Sequence, residues 1–149
     1  MHSGILSRAT QENLVRKERM KQKLPKPTEA ELAILNVLWD QGPSTVRQVH
    51  DVLKAGRQTG YTTILKLLQI MFQKGLVRRD EETRTHVYHP RTTRQQTQRQ
   101  LIADLRDRAF GGSAGAMALQ VLSGRRVAAD DLQELKRVIG ELAAKTRQG

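Results

Sequence analysis

The sequence predicts a mainly α-helical chain with one small β-hairpin. From residue 29 onward, apolar residues recur at three- and four-residue steps in most segments, as they do on one face of a helix. Glycine and proline separate the segments, and only the short region 76–88 has the composition of paired strands. Three helices and then a hairpin is the order of a winged helix-turn-helix domain, predicted over residues 25–90. A helical dimerisation domain is predicted over residues 91–149.

Composition points to a polyanionic partner. The 149 residues include 26 Lys and Arg against 15 Asp and Glu, and the net charge of +11 is spread along the chain. The absence of cysteine excludes disulfides, thiolate metal sites and a cysteine nucleophile. Apolar runs are too short for a membrane span and the N-terminus lacks a signal-peptide core, so a soluble, cytoplasmic protein without membrane insertion is expected. An aromatic content of 3% argues against recognition of single strands by base stacking.

The first two helices carry clear start and stop signals. Thr28 and Glu31 have the capping-box pattern before a helix over residues 29–40, and Gly42-Pro43 ends it. Ser44 or Thr45 caps a second helix. The predicted buried positions of the two helices are Leu32, Ile34, Leu35, Val37, Leu38, Trp39, Val46, Val49, Val52 and Leu53.

The third helix, residues 60–75, is the candidate DNA-reading element. Its apolar face consists of Ile64, Leu67, Leu68 and Met71, and Gly75 is placed to end it in a left-handed conformation. Its polar leading edge supplies the candidate DNA-binding residues Thr62, Thr63 and Lys66. Hydroxyls and ammonium groups can bind base edges or phosphates, although threonines near a helix start also serve as caps. Tyr61 and Trp39 are expected in the core.

A hairpin follows, with strands predicted at 76–79 and 85–88 and a polar turn between them. Arg78 and Arg79 near its base and Arg84 at its tip are candidate phosphate contacts, with solvation alone as the alternative for all three. If this wing binds DNA, its acids should point away from the phosphates. These acids are Asp80, Glu81 and Glu82.

The tail predicts three more helices, at about 93–110, from Ser113 to about 122, and from about 130 to 146. A unit of this size buries too little surface to be stable alone, so a second copy is expected to cover its apolar stripes. A lid on the first domain is the alternative. The predicted dimerisation residues are Leu101, Ile102, Leu105, Met117, Val121, Leu132, Leu135, Ile139 and Leu142.

Residues 1–24 predict a flexible basic extension, because they are polar and highly charged. Two alternatives remain open for them. The functional chain starts at Met20, or the extension is an arm that contacts phosphates. No serine, histidine and acid fall into a catalytic grouping, and the four histidines lack metal-ligand spacing. No enzyme activity, cofactor or metal is therefore expected.

Four motifs resemble the penicillinase-repressor family, which includes the BlaI, MecI and CopY repressors. The motifs are Thr28-Glu-Ala-Glu-Leu-Ala-Ile-Leu-Asn-Val-Leu-Trp39, Tyr61-Thr-Thr-Ile64, Lys74-Gly-Leu-Val-Arg78 and Val87-Tyr-His-Pro90. The resemblance covers about residues 25–147. It implies a homodimeric transcriptional repressor that binds double-stranded DNA at an operator dyad.

The resemblance also implies a release mechanism. In the β-lactam branch a membrane sensor triggers cleavage in the helical tail, and the matching position here is Gln120–Val121, where other members have asparagine and phenylalanine. The copper branch uses cysteine ligands, so the lack of cysteine excludes a copper-thiolate sensor. On the third helix, Lys66 stands where many members have threonine, and Ile70 stands where many have arginine.

Two other functions fit the same residues. A nucleoid-type DNA binder would use the positive charge without choosing a sequence, and would lose its footprint to bulk DNA. A protein-interaction adaptor would keep the winged-helix fold and present the third helix to a protein groove.

Overall fold

The computed structural model describes residues 7–11, 25–56, 59–82 and 84–148. The predicted basic extension lies outside these ranges except for residues 7–11, of which 8–11 form one helical turn. The chain divides into two compact units, one ending at Leu101 and the other beginning at Ile102.

Three helices form most of the first unit: α1 (Glu29–Gln41), α2 (Val46–Leu53) and α3 (Tyr61–Lys74). The first two begin with complete capping boxes, Thr28 with Glu31 and Thr45 with Gln48. Thr45, rather than Ser44, is therefore the cap of α2. Gly75 ends α3 at a φ of 86°, in the left-handed region predicted for it.

The helices and the hairpin enclose one core. Its fully buried side chains on the three helices belong to the predicted stripes: Ile34, Leu35, Leu38, Val49, Ile64, Leu68 and Met71. The hairpin adds Val77 and Tyr88, whose burial was not predicted. Trp39 is half-buried against this core. Val52 is 43% exposed, so its predicted buried position on α2 is wrong. Tyr61 is 42% exposed, so its predicted place in the core is wrong as well. It starts α3 on the side that the core does not cover.

The hairpin pairs β1 (Val77–Asp80) with β2 (Val87–Pro90) in antiparallel register, with Arg78 opposite His89. Both strands lie one or two residues later than predicted. Ser44, between α1 and α2, adds a single bridge to Tyr88 through two backbone hydrogen bonds of 3.1 and 2.8 Å. This bridge ties the wing to the helices. The sequence around Ser44 carries no strand signal, because one residue pair is too short to produce a period.

Three further helices follow the hairpin: α4 (Arg94–Ala109), α5 (Ala114–Leu122) and α6 (Ala129–Gln148). The Ser113 hydroxyl accepts a 3.0 Å hydrogen bond from the backbone N–H of Ala116, as its predicted capping role requires. The mainly helical architecture with one hairpin is confirmed. From Ile102 onward no described residue is buried, whereas the first unit has a complete core.

Candidate nucleic-acid interface

The solvent side of α3 brings three of the predicted DNA-binding residues together. Thr62, Thr63 and Lys66 line a shallow depression together with Leu67 and Ile70. We call these five residues the α3 outer face. All but the half-buried Leu67 are exposed. The arrangement gives two hydroxyls, one ammonium and two apolar side chains on a single surface of a helix.

The opposite side of α3 is anchored. Ile64, Leu68 and Met71 are at most 1% exposed. At the C-terminal end, the Lys74 ammonium contacts both carboxylate oxygens of Glu31 on α1, at 2.6 and 3.0 Å. A helix held by its core side and its last turn can present its outer face in a fixed orientation, which reduces the ordering cost of binding.

Capping does not account for the two threonines. The N-cap of α3 is Gly60, which has no side chain to accept a hydrogen bond, and Thr62 and Thr63 lie inside the first turn. Both hydroxyls belong to the exposed outer face. Their assignment to DNA stays a prediction, now without its main structural alternative.

Lys66 and Lys74 differ in their surroundings. No ion pair joins Lys66 to a carboxylate within the described ranges of the chain, while Lys74 is bound to a buried one. The charge of Lys66 is therefore available to an incoming phosphate or base edge.

The wing arginines are bound within the chain to different degrees. Arg79 lies with its guanidinium 4.0 Å from the Phe72 ring centroid, and its Nε donates to Glu81 at 2.8 Å. The hydrogen bond from Arg79 lowers the pKa of Glu81 below its usual range. Arg79 thus serves the packing of the hairpin against α3, and it is the weakest of the predicted phosphate contacts.

Arg78 points into a second polar group. It lies 3.5 Å from Asp80 and 3.3 Å from Nδ1 of His89, and Nε2 of His89 lies 2.9 Å from Asp80. Neighbouring basic side chains thus partly neutralise two acids of the wing, Asp80 and Glu81. Arg84 is exposed in the loop between the strands. Its contact with a phosphate stays a prediction.

One cation next to α3 is not among the DNA-binding residues predicted from the sequence. Arg47, exposed on the first turn of α2, holds its guanidinium 5.6 Å from the ring centroid of Tyr61, and His50 meets the same ring edge-on at 6.0 Å. The arrangement adds a positive charge beside the start of α3. Sequence alone gave no signal for it, because the contact depends on how α2 and α3 approach each other.

Most of the apolar side chains predicted for dimerisation are exposed on the second unit. Six of the nine are exposed, and Leu101, Met117 and Leu135 are half-buried. The exposed six are Ile102, Leu105, Val121, Leu132, Ile139 and Leu142. The stripes are therefore present, and the dimer itself stays a prediction.

Comparison with known proteins identifies the family. The model of the penicillinase repressor family matches residues 27–141. The chain belongs to the penicillinase repressor family. It is 36% identical over 123 residues to the transcriptional regulator BlaI of Mycobacterium tuberculosis, covering 82% of this chain and 88% of that protein. It is 22% identical over 120 residues to the penicillinase repressor of Bacillus licheniformis, covering 80% and 94%.

One solved structure of a family member is also similar. The monomeric form of BlaI from Bacillus licheniformis in complex with a half-operator matches with a TM-score of 0.43 and 25% identity, over 48% of this chain and 87% of that one.

For this family member, the predicted cleavage position lies in α5. Gln120 is exposed, and Val121 is 64% exposed close to the helix end at Leu122. The position is accessible, and cleavage stays a prediction from the resemblance. Every helix in the described ranges is too short or too polar to cross a lipid bilayer. The same residues contain no cluster of three or more histidine, aspartate or glutamate side chains placed to hold a metal ion.

Proposed function

We propose that this chain represses transcription as a homodimer, with the α3 outer face of each copy in the major groove of one half of a two-fold operator. Family membership makes it a sequence-specific DNA-binding repressor. The placement of α3 in the major groove is supported by one observation, the α3 outer face. There Thr62, Thr63 and Lys66 are exposed together on an anchored helix. The relatives of this chain are transcriptional repressors rather than enzymes.

The chemistry of the outer face fits double-stranded DNA. An α-helix fits the major groove, where base edges present donors, acceptors and the thymine methyl. Lys66 supplies a cation without a carboxylate partner among the described residues, and Arg47 adds a second cation beside the start of the helix. Arg84 on the wing supports contact with the flanking backbone.

The exposed tail supports the homodimer. Six of the nine apolar side chains predicted for dimerisation face solvent in one copy, and no described residue beyond Leu101 is buried. A second copy would remove these side chains from water, and two copies would place two α3 helices on half-sites about 10 bp apart or a multiple of it. Because the target is chromosomal DNA, we place the protein in the cytoplasm.

A selection experiment tests the proposal. The full chain is used to select bound duplexes from a random library, and the winning sequence is footprinted in the presence of excess bulk DNA. We expect a two-fold sequence whose protection survives the competitor. A footprint that bulk DNA removes would instead indicate a nucleoid-type binder, and absence of DNA retention even at low salt would indicate a protein-interaction adaptor.

Release by proteolysis has a separate test. Co-expression with a membrane sensor protease of a penicillinase-repressor relative, followed by mass spectrometry, should give fragments ending at Gln120 and starting at Val121. An intact chain under conditions that cleave the relative's own repressor would contradict this cleavage prediction and leave DNA binding untouched.

A further inference from the structure

The α3 outer face contains one exposed side chain that cannot make a hydrogen bond. Ile70 is 40% exposed, although Ile64, Leu68 and Met71 on the same helix are buried. It is also absent from the half-buried side chains that pack against the core. Ile70 therefore does not contribute to the core of its own chain, and its apolar surface is available to a partner.

Ile70 is aligned with the polar residues of the same face. Lys66 lies three residues after Thr63 and Ile70 lies four residues after Lys66, so the three form one stripe along the helix, and they line one depression together with Leu67. From Thr63 to Ile70 the stripe rises about 10 Å. A partner that contacts the threonines and Lys66 along this stripe also meets Ile70.

Base edges in the major groove offer one group that suits an isoleucine. Oxygen and nitrogen acceptors and amino donors all require a polar partner, whereas the C5-methyl of thymine is apolar and is contacted by apolar side chains. Placing Ile70 against a polar base edge would leave that edge without water or a hydrogen bond, which disfavours binding. Placing it against a thymine methyl removes two apolar groups from water together.

We propose that Ile70 determines operator specificity by contacting the C5-methyl of a thymine in each half-site. The inference rests on the proposed DNA-binding function, and it names the base that this part of α3 selects. The cationic Lys66 one turn earlier orients the helix on the polyanion, and Ile70 adds selectivity without adding charge.

Replacing thymine by uracil tests the contact, because the exchange removes only the methyl group. The selected operator is synthesised with uracil at each thymine in turn, and the affinity of the full chain is measured for every duplex. We expect one position in each half-site at which uracil weakens binding by about fourfold, the value of one buried methyl-sized group. The other thymines should tolerate the exchange.

Variants then assign the effect to the side chain. Ile70→Ala should bind the thymine and uracil operators equally at the sensitive position, and Ile70→Thr, which keeps one γ-methyl, should retain part of the difference. Val52→Ala is the matched control, since Val52 is 43% exposed on α2 and lies outside the α3 outer face. It should keep the full uracil effect.

The outcomes separate this inference from the function on which it rests. An operator whose every thymine tolerates uracil, or a uracil effect that persists in Ile70→Ala, would overturn the role of Ile70 while repression stands. Failure to select any sequence at all would overturn the proposed function and this inference together.

Discussion

At the scale of single residues, the contacts of a side chain decide its role more than its position along a helix does. Lys66 and Lys74 lie about two turns apart on α3. Lys66 faces solvent without a carboxylate partner in the described part of the chain, and Lys74 holds the buried Glu31. Lys74 thus stabilises the fold, and Lys66 keeps its charge at the surface, where its predicted contact with DNA can be tested.

Removing the Lys66 charge should affect DNA binding alone. We expect Lys66→Ala to bind the operator more weakly and to leave the melting temperature unchanged. If the ammonium contacts a phosphate, the slope of log affinity against log salt concentration falls by about one unit. Titration by fluorescence anisotropy at several salt concentrations measures this. Unchanged affinity and footprint would remove Lys66 from the interface.

Arg47 is expected to act as a second phosphate contact whose orientation depends on Tyr61. Arg47→Ala should weaken binding by a similar factor for all sequences, because phosphate contacts carry no sequence information. Tyr61→Leu, which removes the ring under the guanidinium, should show the same loss, while Tyr61→Phe should not. If Tyr61→Leu binds normally, the ring has no role in placing Arg47.

These residues mark how far sequence alone could go. The helical period was sufficient to place Thr62, Thr63 and Lys66 on one exposed face, because all three lie on one element. It was not sufficient for Arg47, Arg78 and Arg79, whose partners come from other elements or from the strand register. Tyr61 was placed in the core because large aromatic residues are usually buried, yet the start of α3 lies outside the core.

At the scale of elements, an ion pair joins the start of α1 to the end of α3. Glu31 is 1% exposed, accepts from the Thr28 backbone N–H at 2.9 Å, and binds Lys74. We expect Glu31→Gln to lower the free energy of unfolding by about 1–3 kcal/mol, because a buried charged hydrogen bond is replaced by weaker ones. Urea denaturation measures the loss. Glu29→Gln, at an exposed position of the same turn, is the control.

The same pair predicts a pH dependence. Burial acts to raise the pKa of Glu31, but the hydrogen bonds from Lys74 and Thr28 outweigh it, so the pKa lies below its ordinary value. The unfolded state therefore takes up the proton first, and the stabilisation is complete above about pH 4.3 and is lost as pH falls through the folded value. The difference between wild type and Glu31→Gln should shrink with acid. A constant difference from neutral pH into the acid range would contradict this linkage.

Gly75 separates α3 from the hairpin through its backbone conformation. Its φ is 86°, and an added Cβ would meet no atom within 4 Å. Gly75→Ala should therefore cost about 1–2 kcal/mol through the left-handed conformation alone. Gly140→Ala in α6, also without a steric neighbour, should instead increase helix stability by up to about 1 kcal/mol. Thermal denaturation of both variants gives the two signs.

At the scale of the whole molecule, the two units differ in what they can bury. The first has a core of its own, and its elements were predictable because capping boxes, glycine stops and the helical period agree. In the second unit the same signals predicted the helices and their apolar stripes, but the stripes stay exposed in one copy. A single sequence does not specify what covers such a surface, because the partner's side chains are not on the same helices.

The exposed apolar stripes of the tail make the proposed dimer sensitive to a single introduced charge. If a second copy covers the apolar stripes, Leu105→Asp or Ile139→Asp places a carboxylate in a dry interface and should shift the protein to monomers in sedimentation experiments. The winged domain keeps its own core, so such monomers should still bind a single half-site, with the dyad affinity reduced by 100-fold or more, the order of magnitude that linking two sites provides, ~10²–10⁴.

Leu119→Asp is the control for exposure by itself. Leu119 is 69% exposed on α5 but lies on the side of the helix opposite Met117 and Val121, which are four residues apart. A charge there should leave both the dimer and its dyad affinity intact. If all three aspartate variants remain dimeric, the predicted stripes are not the interface. If Leu119→Asp alone gives monomers, the dimer interface lies on the other face of α5. The wild-type chain then binds two-fold DNA through a different set of dimer contacts.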